Sequence, residues 1–305
     1  MSATAPRYDG SLRTWRDNFA GTLWTSPWLV GFAVFMLLPI LMSLWYSFTD
    51  FPLLKPPIFV GLDNYRELLH DERFCRVVRN TLFYAALAIP LSTILALVLA
   101  AALATPGLRA GKVFAAAIYL PTLVPMMAGA MIWTWMLNGK FGVINVVLEK
   151  LGFAGPNWLE EPRLAIPVVV LTSLWTIGQM VVVYVAAIHE VPGALYEAAR
   201  LDGMGAVRRF VHITLPMISP AILFNVVTLT IGSLQVFVMP YVLFRNERGQ
   251  KAAGDVYNLL LYDNAFVYRK FGHASAMAWM QLLVVLALTG VMMLLSRKFV
   301  HYRGV

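Results

Sequence analysis

Six stretches of this 305-residue chain contain no aspartate, glutamate, lysine or arginine: residues 27–48, 81–104, 113–136, 164–189, 215–240 and 275–296. All of its formal charges, 24 basic and 16 acidic, fall in the residues between them. A helix rises about 1.5 Å per residue, so roughly 20 apolar residues cross a hydrocarbon layer of about 30 Å. Every stretch is long enough. An ionised side chain at the bilayer centre costs at least ~2.5–3.5 kcal/mol, which accounts for the exclusion. A membrane β-barrel would instead alternate polar and apolar residues over segments of about ten, and these runs are continuous. The pattern predicts an all-α integral membrane protein with six transmembrane helices.

Composition removes the other classes. The chain is 59% hydrophobic and 13% charged, with a mean hydropathy of +0.69, too apolar for a water-soluble protein of this size. Disorder needs low hydrophobicity and high charge. Cys75 is the single cysteine, so no disulfide framework exists. A net charge of +8 and no basic stripe interleaved with aromatics speak for membrane loops rather than nucleic acid. The first stretch follows Arg7, Arg13 and Arg16 like a secretory signal. Its apolar run is too long for one, and no small-residue cleavage site follows at Ser47–Phe51, so it is expected to stay as an anchor.

Six spans put both termini on one side. If that side is the cytoplasm, the inner segments carry 11 Lys and Arg over 68 residues and the outer ones 13 over 93. This is a mild positive-inside bias that does not fix the orientation. Between the first two spans, Asp63–Arg79 mixes charges with Tyr65, Leu68, Leu69, Phe74, Val77 and Val78 at helical spacing, which predicts a helix along the membrane surface. In 138–163 a short apolar stretch, Val143–Leu151, lies among Gly139, Gly142, Gly152, Gly155 and Pro156.

No catalytic constellation stands out. The five histidines are scattered, without metal-ligand spacing. Gly107–Val113 superficially looks like a phosphate loop, but it has three residues between its glycines instead of four, and valine where a magnesium-binding hydroxyl belongs. Work done by this chain must draw its energy from a partner or an ion gradient.

The connection between spans four and five is more informative. It reads Glu197-Ala-Ala-Arg-Leu-Asp-Gly203, then nine residues, then Ile213-Thr-Leu-Pro216. Pro192 and Gly193 open an element, Ala194–Leu201 are good helix formers, and Gly203 supplies a C-terminal stop. Arg208–Val211 predict a second short amphipathic helix, and Pro216 opens the next span. The result is a helix–glycine–helix elbow whose small alanines let another protein approach closely.

This pattern resembles the EAA loop of binding-protein-dependent ABC importer permeases, with seven fixed positions over twenty residues. Further segments are similar to the sugar-importing, maltose-transporter-like branch of type I importers: Phe48-Thr-Asp50, Gly61-Leu-Asp-Asn-Tyr65, Arg79-Asn-Thr-Leu82, Tyr119-Leu-Pro121, Phe141-Gly-x-x-Asn145, Asn157-Trp-Leu159 and Phe271-Gly-His-Ala-Ser-Ala276. Two departures stand out: Phe244-Arg-Asn-Glu-Arg-Gly249 replaces the usual Gly-Gly-Pro, and His273 stands where tyrosine is common.

The resemblance implies a multi-pass inner-membrane permease subunit with both termini and the coupling loop in the cytoplasm. Residues 1–26 would be a cytoplasmic segment, 27–48 the first span and 49–80 an external loop with an interfacial helix. Residues 81–296 would form the importer core, with the coupling loop at 190–214, and 297–305 a cytoplasmic tail. Glu197, Ala198, Ala199, Asp202 and Gly203 would form the joint with a separate ATPase dimer. ATP and magnesium would bind that partner, and this chain would carry no cofactor and no catalytic residue. A second permease subunit, most simply a different one, and an extracytoplasmic sugar-binding protein complete the implied assembly.

A solute path should be lined by polar groups that are otherwise expensive in lipid. In span five Asn225, Thr228, Gly232 and Gln235 share one helix face, and in span four Thr172, Trp175, Thr176 and Gln179 form a similar stripe. Amides donate to and accept from sugar hydroxyls, and an indole can cover an apolar sugar face. These residues are the candidate pathway, and interhelical hydrogen bonds are the alternative use. Pro39, Pro90, Pro121, Pro125, Pro167 and Pro220 lie inside spans, and Ala96, Ala100 and Ala104 repeat every fourth residue as a close-packing face, within this chain or against a second permease. The rival functions are import of glycerol phosphate, a polyamine or an amino acid on the same fold, and an ion-driven carrier or membrane enzyme. An anionic solute would favour basic groups in the spans, and a carrier or enzyme buried acids or histidines there; neither pattern is visible.

Overall fold

The computed structural model describes residues 15–105, 107, 108, 110–244 and 253–299. The substituted segment after Phe244 lies outside the described residues. The first charge-free stretch lies in α1 (Trp15–Phe32), a π turn at Ala33–Leu37 and α2 (Leu38–Ser47). A two-stranded ribbon follows, β1 (Thr49–Asp50) antiparallel to β2 (Ile58–Phe59), with Thr49 opposite Phe59 and Asp50 opposite Ile58. It is the only strand pairing among the described residues.

The surface helix expected over Asp63–Arg79 is corrected. It ends early, as α3 (Asp63–His70), because Asp71 is extended and its carboxylate accepts the Arg73 backbone N–H at 2.7 Å. That cap starts α4 (Glu72–Leu103), so residues 72–79 are the first two turns of the second long helix.

The third and fourth stretches hold helices, but not straight ones. α5 (Gly111–Tyr119) passes through a 3₁₀ turn at Leu120–Leu123, and α6 (Met126–Met136) sets off at 100° to it. Pro121 and Pro125 cause this break, since Val124, held extended before Pro125, cannot continue a helix. After α7 (Val143–Lys150) come α8 (Ala165–Leu174) and α9 (Gly178–His189), bent by 47° at a turn over Trp175–Ile177.

The remaining elements are α10 (Gly193–Leu201), α11 (Ala206–Arg209), a π turn at Phe210–Thr214, α12 (Leu215–Met217), α13 (Ser219–Leu234) and α14 (Val238–Phe244). α15 (Tyr257–Tyr262), a π turn at Asp263–Val267 and α16 (Phe271–Phe299) close the described chain. Among the described residues four apolar helical runs are long enough to span, at Thr22–Ser47, Glu72–Leu103, Ser219–Phe244 and Phe271–Lys298, and counting each bent pair as one span gives six.

α4 is the axis of the packing. At its middle, Tyr84 and Ala88 join Val168 and Val169 of α8; near its end, Ala96 and Ala100 are fully buried against Ile177 and against Val181 and Tyr184 of α9. The alanine repeat therefore serves packing within this chain at Ala96 and Ala100. Dispersion contacts of this kind replace the hydrophobic drive that lipid cannot supply. Ala221 and Ile222, at the start of α13, join the second cluster, whereas Leu234 at its far end meets Ala85. These contacts give the molecule two ends: α10–α12 lie at one, and the ribbon, α3, α7 and α15 at the other. α2 and α16 pack on each other and Val285 of α16 is buried, but most of the large apolar side chains along α1–α2 and α16, Phe35, Leu283 and Leu294 among them, stay exposed. Lipid or a second subunit has to cover them.

Candidate coupling elbow and solute pathway

At one end of the molecule α10 begins at Pro192, whose fixed φ of −58° suits a helix start, and ends at Gly203. Gly203 has φ +71°, its N–H donates to the Arg200 carbonyl at 3.1 Å, and the Met204 N–H donates to the Ala199 carbonyl at 2.9 Å. This pair of bonds is the Schellman stop, which needs a residue at home in left-handed backbone. Ala199 turns inward and is buried, while Glu197, Ala198, Asp202 and Gly203 face outward. Around them, Leu201 is 91% exposed and Val207 78%. Large aliphatic side chains at that exposure on a tightly built knuckle mark a contact surface.

The return segment is tied back to α10. Tyr196 Oη and Thr214 Oγ1 share a hydrogen bond of 2.8 Å, and the Arg209 guanidinium donates to the Met204 carbonyl. The expected second helix is a single turn, α11, that runs on through a π turn. Tyr196, Arg209 and Thr214 are not among the fixed positions of the expected motif, and no sequence spacing singles them out.

The opposite end is a clamp. The Asn64 amide donates to the carbonyls of Ser47 and Thr49, both at 2.9 Å, and Tyr65 Oη donates to Ser47 Oγ at 2.8 Å. The Phe271 N–H donates to the Phe51 carbonyl at 2.9 Å, and Gly272 lies directly against the Thr49 carbonyl oxygen. His273, which departs from the family pattern, bonds Glu67 across α16 and α3 at 2.9 Å. Asn80 donates to the carbonyls of Ala253 and Asp255, and Thr81 Oγ1 accepts from the Tyr257 N–H. Asn145 and Trp158, from two separate motifs, meet through a 2.7 Å bond from the indole N–H to the amide oxygen. Several of the quoted sequence segments are thus held together by specific polar contacts, some with one another and some with the chain around Ala253–Tyr257.

Arg73 braces this end through Asp255 and Asp263, both at 2.9 Å, and through a bond to Tyr268 Oη. Its replacement by methionine keeps the stem and leaves two carboxylates converging without a cation. We expect a loss of about 2–3 kcal/mol, below the ~3–5 kcal/mol of a fully buried pair because the arginine side chain is 31% exposed. The thermal midpoint of the solubilised protein should fall by several degrees, and an unchanged midpoint would remove the brace.

The candidate pathway residues separate. Thr228, Gly232 and Gln235 are exposed on one face of α13, with open space where a Cβ at Gly232 would point. Asn225 is buried instead beside Tyr184 of α9, with Nδ2 left without a hydrogen bond. In the other stripe Thr172 is fully buried and returns its hydroxyl to the Val169 carbonyl. Trp175 packs edge-on against Trp133, centroids 6.0 Å apart, and presses on Gly129. Thr176 and Gln179 are exposed. The turn at Trp175–Ile177 divides the stripe, which no longer follows a single helix period.

Sequence reasoning missed a run of aromatic rings that continues from Gln235. Phe237 contacts Tyr241 and Tyr262 at 5.1 and 5.3 Å, Tyr262 contacts Phe266 at 5.0 Å, and Phe266 contacts Phe271 at 6.2 Å. Phe237 stands just before α14, Tyr241 in it, Tyr262 in α15, Phe266 in the π turn after it and Phe271 in α16, so only the tertiary fold assembles them.

Together these features define a class: a multi-pass membrane subunit with a rigid contact knuckle at one end, a braced clamp at the other, and no metal-holding cluster among the described residues. Residues 88–301 match the family described as binding-protein-dependent transport system inner membrane component, and the chain belongs to that family of transport subunits. Relatives include the probable ABC transporter permease YesP of Bacillus subtilis (strain 168), 33% identical over 99% of this chain and 97% of that protein. The lactose transport system permease LacF of Rhizobium radiobacter is 31% identical over 91% of this chain and 94% of its own. A solved bacterial ABC transporter involved in importing the acidic polysaccharide alginate superposes with a TM-score of 0.82 at 25% identity, covering 95% of this chain and 100% of that one.

Proposed function

We propose that this permease forms half of the membrane pathway for a carbohydrate delivered by an extracytoplasmic binding protein. The observation that carries the substrate class is a neutral polar face: Thr228, Gly232 and Gln235 are exposed with uncharged hydroxyl, backbone and amide groups, and the Phe237–Tyr241–Tyr262–Phe266 rings follow them in the fold. Neutral polar groups pair with hydroxyls in both directions, and ring faces cover the apolar faces of sugars. Relatives named for lactose and alginate uptake support this reading.

In this reading the α10–α11 knuckle lies in the cytoplasm with both termini and seats in a separate ATPase, which holds ATP and magnesium. The clamp end faces outward to the binding protein. A second, different permease covers the apolar faces of α1–α2 and α16. ATP binding pulls on the knuckle, the spans tilt to open the path outward, and hydrolysis resets them.

The test is uptake by the reconstituted importer. Thr228→Leu with Gln235→Leu should lower sugar uptake about tenfold or more while the complex still assembles and still hydrolyses ATP at its basal rate. Normal uptake by that variant removes the pathway assignment. Stimulation of ATP turnover by amino acids or polyamines, and by no sugar, removes the substrate class.

A further inference from the structure

At the clamp end, between α4 and the start of α8, is a cleft of about 340 Å³. Arg76, Arg79 and Arg163 line it, and no acidic residue does. None of the three makes an ion pair among the described residues. Arg73, one helical turn before Arg76 on α4, is neutralised by two aspartates. Arg76 and Arg79 stand three residues apart on one helix face, and Arg163 reaches them from the chain entering α8. Converging like charges repel, and guanidinium groups are donors with no acceptor capacity, so the cleft is built to take an anion.

Its floor identifies the kind of anion. Phe83, Ile166 and Pro167 also line the cleft, and all three belong to charge-free stretches. Arg79 and Arg163 fall just before those stretches begin, at positions 81 and 164. The cleft therefore straddles the level where polar chain gives way to hydrocarbon. A soluble anion or a protein carboxylate has no use for an apolar floor that continues into the membrane. We propose that this cleft holds the phosphate of an anionic phospholipid, with the three arginines on the headgroup and an acyl chain along half-exposed Phe83.

The test is native mass spectrometry of the assembled importer, delipidated and titrated with phosphatidylglycerol or phosphatidylcholine. The wild-type complex should retain phosphatidylglycerol selectively. Arg163→Gln should weaken that retention on the order of fivefold, and Arg76→Gln, Arg79→Gln and Arg163→Gln together more than tenfold. Arg163→Lys, which keeps the charge, should stay near wild type. Should the triple variant fail to assemble, Arg163→Gln at its exposed position carries the result alone. Unchanged selectivity in the glutamine variants overturns the proposal. So does equal competition by inorganic phosphate, which marks a free-anion site, or weakened binding-protein affinity with lipid retention intact, which marks a protein contact.

Discussion

Gly272→Ala is expected to cripple assembly of this permease. The added methyl would run into the Thr49 carbonyl oxygen and lie 3.1 Å from the Asn64 amide nitrogen that bonds that same oxygen. Both neighbours are fixed, Thr49 by the β1–β2 ladder and Asn64 by two carbonyls at once. Overpacking costs about 1–3 kcal/mol where side chains can yield, and a buried donor left unpaired adds about 1–3 kcal/mol. The two together should exceed ~3 kcal/mol, seen as loss of the monodisperse complex in mild detergent. Gly290→Ala on the same helix meets nothing within 4 Å and should be harmless. A Gly272→Ala protein as well behaved as that control would show that the clamp end yields.

The second large effect is expected at the elbow and tests the proposed coupling. Gly203→Val places a β-branched residue at φ +71°, a conformation costing an ordinary residue about 1–2 kcal/mol. Nothing lies within 4 Å of the new Cβ, so the chain should still insert and fold. The strain is relieved by unwinding the last turn of α10, which displaces Leu201 and Asp202. Solute-stimulated ATP hydrolysis by the assembled importer should fall at least tenfold. Gly203→Asn, which tolerates left-handed backbone, should keep most of it. Equal loss in both variants would point to the missing hydrogen rather than to the turn, and full activity in the valine variant would separate the elbow from coupling.

What could be read from the sequence follows the reach of each signal. Charge exclusion located the apolar stretches because the cost of a buried charge is paid residue by residue. It is blind to direction, so the break at Val124 was hidden inside an unbroken hydrophobic run. The elbow was legible because helix formers, a glycine stop and a following proline act within a few residues of one another. The brace from Arg73 to Asp255 and Asp263 joins residues more than 180 positions apart, and no local pattern announces it. The polar stripe on α13 was legible at Thr228 and Gly232, with Gln235 at the helix's C-terminal cap, but not at Asn225, which the same helix turns inward beside Tyr184. The span-four stripe was not, because the turn at Trp175–Ile177 interrupts the period on which that inference depended.

The bond between Tyr196 and Thr214 has a mechanical consequence. It bolts the outgoing arm of the knuckle to the returning one, leaving little slack between them. Any load applied there must be shared by α9 and α13, which both bear on the distal half of α4. The far ends of the two arms are the 47° bend before Gly178 and the interruption at Gln235 between α13 and α14. In the proposed coupling cycle, a pull on the knuckle would therefore reach the core through both arms together rather than through either alone.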